Sequence, residues 1–156
     1  MAQWRARLGL QRKPRVGLVW SGNPLFPDED SRSVALPAGF EYVSLKKEVT
    51  EQERATLALR ADIVHLGDEL QDFMDTAALC ELVDVVISTC TSVAHLAGSM
   101  GRPLWVLLTY NTDWRWLRDR TDSPWYPSAR LYRQDKMGDW SGVSARVRAD
   151  LERQIE

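Results

Sequence analysis

Ser88-Thr89-Cys90-Thr91-Ser92 sets four hydroxyls and a thiol in five consecutive positions, and His95 follows four residues after Thr91. Before this run comes the apolar Val85-Val86-Ile87, and after it Val93, Leu96 and Ala97 fall at helical spacing. A buried strand that hands over to a helix through a polar turn aims free backbone N–H groups and the positive end of a helix dipole at one spot. That suits an anion such as a phosphate, although turns of this kind also occur with no ligand. The four-residue step puts His95 on the same helix face as Thr91, where its ring could stabilise a leaving phosphate. The competing reading is a helix histidine that bonds a neighbouring loop. A hydrolase triad could draw on Ser92 and His95, but no G-x-S-x-G elbow supports it.

Other candidates lie in segments that would have to converge on this turn. Ser21, Gly22 and Asn23 end the first apolar run, and Arg32 follows an acidic loop, Asp28-Glu29-Asp30. Arg32 is either a surface charge or a forked donor for phosphate. The acidic loop reads as solvated rather than as a divalent-metal site, and no metal is expected. Lys46, Asp72, Asp113, Trp114 and Trp116 sit where further strand ends would flank a cleft. His65 lies inside an apolar run, where a packed histidine outweighs a catalytic one. Neither G-x-G-x-x-G nor a P-loop lysine follows any strand, which argues against a nicotinamide or flavin enzyme and a P-loop nucleotidase.

Six short apolar runs are expected as strands, at residues 16–20, 40–45, 63–66, 85–87, 104–108 and 130–133. Between them, Thr50 with Glu53 forms a capping box that opens a helix, and Asp75 is expected to cap a short one carrying Leu79 and Leu82. The helix after Ser92 should stop at Gly101 and Pro103. A last helix from about residue 139 places Val143, Val147, Leu151 and Ile155 on one face. Alternating strands and helices imply an α/β, Rossmann-like three-layer sandwich with a six-stranded parallel sheet, order 3-2-1-4-5-6. In such sheets ligands bind beyond the carboxyl ends of the strands where the order reverses, here between the first and fourth strands. Residues 1–14, basic and weakly patterned, are expected to be a linker or terminal arm, and 15–156 the domain. A natural domain often starts closer to its first strand than this one does, which suggests the C-terminal part of something longer.

The chain has 156 residues, 44% hydrophobic and 27% charged, with a formal charge of −2, which argues against a nucleic-acid binder. No apolar run is long enough to span a bilayer, and two cysteines without metal spacing fit a reduced, cytoplasmic setting. Four of the seven tryptophans fall between positions 105 and 125, as packing or as the lining of a cleft.

Residues 16–24, Ser31-Arg32-Ser33, the stretch from Thr91 to Ala97, Asp113-Trp114-Arg115-Trp116 and Ser123-Pro124-Trp125-Tyr126-Pro127 together resemble one family. It is the glycosyltransferase-like C-terminal domain of bacterial tetratricopeptide-repeat proteins, akin to glycosyltransferase family 9 (the heptosyltransferases) and, more distantly, to the O-GlcNAc transferases. The resemblance implies the C-terminal half of a metal-independent GT-B enzyme that binds a nucleotide-diphosphate sugar as donor substrate and needs no other cofactor. Ser88, Thr89, Cys90, Thr91 and Ser92 would hold the diphosphate with His95 near the leaving group, and Ser21, Gly22 and Asn23 would face it from the first strand. The acceptor-activating base would come from an N-terminal Rossmann-like half, so the fragment by itself is expected to be inactive. That half and the repeats are the implied partners within the same polypeptide. Cys90 departs from the pattern, since relatives generally carry aspartate there. The reading from a different class is a non-catalytic interaction module that uses the Trp114, Trp116 and Trp125 surface.

Overall fold

The computed structural model describes residues 1–20 and 36–154. Six strands, β1 Arg15–Val19, β2 Glu41–Ser44, β3 Ile63–His65, β4 Val85–Thr89, β5 Leu104–Leu108 and β6 Ala129–Arg133, form one parallel sheet in the order β3-β2-β1-β4-β5-β6. The helices are α1 Ala2–Leu8, α2 Glu51–Ala58, α3 Phe73–Glu81, α4 Ser92–Ser99 and α5 Ser141–Glu152. The fold class and strand order are those expected from the sequence.

Strand side chains alternate between two apolar layers, as a sheet covered on both faces requires. Val43, Val86, Val106 and Leu131 face one layer with Leu79 of α3 and Ala94 and Ala97 of α4. Val16, Leu18, Ile87, Trp105 and Leu107 face the other with Leu57 of α2 and Val143, Val147 and Leu151 of α5. The close approach of layer and sheet fixes Gly17: a Cβ there would lie 2.7 Å from Leu45 and 3.2 Å from Val83.

Two details differ from expectation. The first fourteen residues are not simply an arm, because α1 buries Trp4 in the core at 1% exposure and its indole donates to Asp75 at 2.9 Å. The outward-facing Arg5 and Arg7 concealed one strongly apolar anchor. Second, the N-cap of α3 is Asp72 rather than Asp75. Asp72 has the extended backbone of a cap and accepts from the amides of Met74 and Asp75, which leaves Asp75 inside the first turn. The expectations for Ser21, Gly22, Asn23, Arg32, the acidic residues 28–30 and Ile155 lie outside the described residues.

At the amino ends of the strands a polar clamp closes the sheet. Arg15 is buried and bonds Glu41 at 2.6 Å through its guanidinium, together with the carbonyls of Leu8 and Gly9. Asp84 accepts from the Arg15 amide at 2.7 Å and from Gln11 at 2.7 Å. The same linkage ties α1, β1, β2 and the entry to β4 together.

Candidate functional site

Where β1 and β4 lie side by side the strand order reverses, and a cavity of about 470 Å³ opens at their carboxyl ends. Its floor is Val19, Trp20 and Leu45, at the ends of β1 and β2. Lys46, Lys47 and Glu48 form one wall, while Gln71, Asp72, Phe73 and Thr76 bring the start of α3. Thr91, Ser92 and Val93 bring the start of α4.

Two helices therefore begin at the cavity, and they differ in how their first amides are satisfied. α3 is capped by the Asp72 carboxylate. α4 has no side-chain cap, although Thr91 at its N-cap is a residue type that commonly supplies one. The Thr91 hydroxyl is instead 3.0 Å from the Ser88 hydroxyl, which also donates to the Thr89 carbonyl at 2.8 Å. The first turn of α4 thus presents uncapped N–H groups toward the cavity, the arrangement that attracts an anion.

The cavity's charges nearly balance, with two lysines facing Glu48 and Asp72. The Asp72 carboxylate is occupied by its own helix. Lys46 pairs with Glu53 at 2.5 Å and lies 5.7 Å from the centre of the Trp20 ring. Burial favours the neutral form of Glu53, but the bonds from Lys46 and the Thr50 amide outweigh it and hold the carboxyl below its ordinary range. Among the described residues Lys47 bonds the Gln71 carbonyl at 2.7 Å and pairs with no carboxylate. His65, beside this wall, bonds Ser44 at 3.0 Å and packs over Gly67, where a Cβ would collide with its ring. Burial lowers its pKa, and the packed-histidine reading fits this placement.

Only part of the expected site gathers here. Lys46, Asp72, Thr91 and Ser92 line the cavity. Ser88 and Thr89 are buried within β4 and shape the turn from beneath. Cys90 is exposed, and its thiol accepts the indole N–H of Trp116 at 3.1 Å. His95 turns toward the same loop: its Nδ1 is 2.8 Å from the Tyr126 hydroxyl and its ring stacks on Trp116 at 5.3 Å. Trp116, expected on the wall of a cleft, is 0% exposed. Its large apolar ring gains more from the core, and Cys90 satisfies its one polar atom. Asp113 caps the 3-10 turn Trp114–Trp116 and pairs with Arg115, while Trp114 stands 68% exposed away from the cavity. Sequence reasoning missed Trp20 and Phe73 as lining residues. Their positions directly after β1 and directly after a helix-capping aspartate carried that signal.

Among the described residues no three His, Cys, Asp or Glu side chains form a metal-binding group, and no helix is long and apolar enough to cross a membrane.

No family model matches the chain. It is similar to protein FlbA of Caulobacter vibrioides, with 32% identity over 97% of this chain and 27% of that protein. Its fold is similar to that of the E. coli ADP-heptose LPS heptosyltransferase II, with a TM-score of 0.61 and 16% identity over 99% of this chain and 52% of that one. The chain has an α/β, Rossmann-type fold like that of this enzyme. It spans about a quarter of the length of FlbA and about half of the heptosyltransferase.

Proposed function

We propose that this domain binds the nucleotide diphosphate of an activated-sugar donor, as one part of a larger glycosyltransferase that also carries tetratricopeptide repeats and a second Rossmann-like half. The observation that carries the reading is the uncapped start of α4 at the cavity of the strand-order switch. In this reading the diphosphate lies against the amides of Ser92 and Val93 and the Thr91 hydroxyl, with Lys47 swinging from the Gln71 carbonyl to a phosphate oxygen. The base rests on the apolar floor of Trp20 and Leu45 or against Phe73. On transfer, the bond between the sugar's anomeric carbon and the β-phosphate oxygen breaks and the acceptor oxygen bonds that carbon. The helix start and its donors stabilise the charge that gathers on the departing diphosphate. The acceptor's proton goes to a base outside this domain.

The heptosyltransferase's name places it among enzymes acting with an ADP-linked sugar, which makes ADP the first probe, with UDP and GDP beside it. Titration of the labelled chain with each should move the backbone amide signals of Thr91, Ser92 and Val93 in a saturable way. Absence of any shift with all three up to millimolar concentrations overturns the reading.

A further inference from the structure

We propose that the exposed face carrying Trp114 and Trp125 binds a neutral saccharide. The two rings are 68% and 58% exposed, yet both are held in place. Trp125 donates its indole N–H to the Arg115 carbonyl at 3.0 Å, and its amide bonds the Ser123 hydroxyl at 3.2 Å. The Arg115 guanidinium lies 5.0 Å from the centre of the Trp114 ring and bonds both oxygens of Asp113, at 3.0 and 2.9 Å. The loop reaches this arrangement through Leu117, whose φ of 55° and ψ of −171° fall in a region that side chains other than glycine's rarely occupy. Arg133 pins the Leu117 carbonyl at 2.7 Å.

The chemistry of the face selects the ligand. The indole N–H of Trp125 is consumed inside the loop, so that ring offers chiefly its apolar π face. Against the Trp114 ring lies an ion pair with no net charge that still presents N–H donors and carboxylate lone pairs side by side. A pyranose matches both features: its C–H face packs on an indole and its hydroxyl rim bonds the guanidinium and carboxylate. A free anion would have to displace Asp113 from Arg115. A protein partner would desolvate that ion pair without replacing the hydrogen bonds of water, a cost that hydroxyl groups avoid. The face is independent of the nucleotide reading, because none of these residues lines the cavity.

The test is a titration of the isotopically labelled full chain with two neutral probes, maltotriose and triacetylchitotriose, following the indole N–H signals. The expected result is saturable movement of the Trp114 and Trp125 signals with at least one probe at millimolar concentration. Affinity should fall by about tenfold or more in Trp114→Ala and in Trp125→Ala while the unfolding midpoint stays nearly unchanged, as suits exposed rings. The variant Ser92→Glu should leave this binding intact. Three results overturn the proposal: no movement with either probe up to tens of millimolar, backbone amide shifts with a probe that persist unchanged in the Trp114→Ala/Trp125→Ala double variant, or ring signals that follow protein concentration together with a dimer that Trp114→Ala dissolves.

Discussion

Trp116 and Cys90 join across 3.1 Å, the indole N–H donating to the thiol, so that the loop after β5 is fastened to the turn between β4 and α4. Trp116 is fully buried, and no other acceptor for its N–H is found among the described residues. The position where the resembled family carries an aspartate therefore keeps an acceptor, though a weaker one.

Removing that acceptor strands a buried donor. Cys90→Val should cost about 1–3 kcal/mol, whereas Cys90→Ser, which keeps an oxygen acceptor, should cost less. Chemical denaturation of both variants checks the order, and equal losses would show that the bond contributes nothing.

Gly98 meets the Tyr126 ring, which would lie 2.6 to 3.0 Å from an added Cβ. Gly98→Ala should destabilise by about 1–3 kcal/mol, less the ~1 kcal/mol that alanine gains over glycine in a helix. It should also pull the Tyr126 hydroxyl away from His95, moving the His95 ring signals seen by NMR at constant pH. Adding Tyr126→Ala should recover much of the Gly98→Ala loss, by removing the ring that clashes.

At the start of α4, stability and binding should move in opposite directions. Ser92→Glu places a carboxylate against the uncapped amides and should raise stability by about 0.5 kcal/mol. The same carboxylate occupies the proposed diphosphate position, and ADP affinity should drop more than tenfold in calorimetry. Unchanged ADP binding would remove α4 from the site.

His65 supplies a pH dependence. Burial, partly opposed by Asp68, pulls its pKa below the ordinary 6.5, so the folded chain prefers the neutral ring. The unfolded chain takes up the proton first as pH falls. The stability attached to the neutral ring is thus whole above pH 6.5 and drains away below it, down to the lowered folded pKa. Unfolding curves at pH 7.5 and 5.5 should converge more in His65→Gln than in the parent chain, and an identical slope in both would exclude the effect.

Leu117 stores backbone strain at φ 55° and ψ −171°. Leu117→Gly should relieve about 1 kcal/mol of it, somewhat offset by the entropy glycine adds to the unfolded chain. A higher denaturation midpoint with weaker saccharide binding would show that the strain holds the two tryptophans in register.

The sheet was legible because its order follows from alternation and crossover length, and each strand's apolar run is short and bounded by turn residues. The capping box at Thr50 and Glu53 was equally plain, since both of its reciprocal bonds form as the spacing requires. Other features depend on three-dimensional partners that spacing does not encode. A lone Trp4 among arginines gives no periodicity, yet it decides whether residues 1–14 dock. Trp114 and Trp116 are two positions apart with the same side chain, and a 3-10 turn sends one outward and the other into the core. The Ser88-to-Ser92 run looked uniform, but burial of the first two hydroxyls and the Trp116 bond to Cys90 leave only Thr91 and Ser92 to face the cavity.

The clamp of Arg15, Glu41 and Asp84 sits at one end of the sheet, and the cavity sits at the other. Anchorage and recognition are thereby housed at opposite poles of the molecule. Grafting new sequence onto the recognition pole should retune what is captured while leaving the foundations untouched.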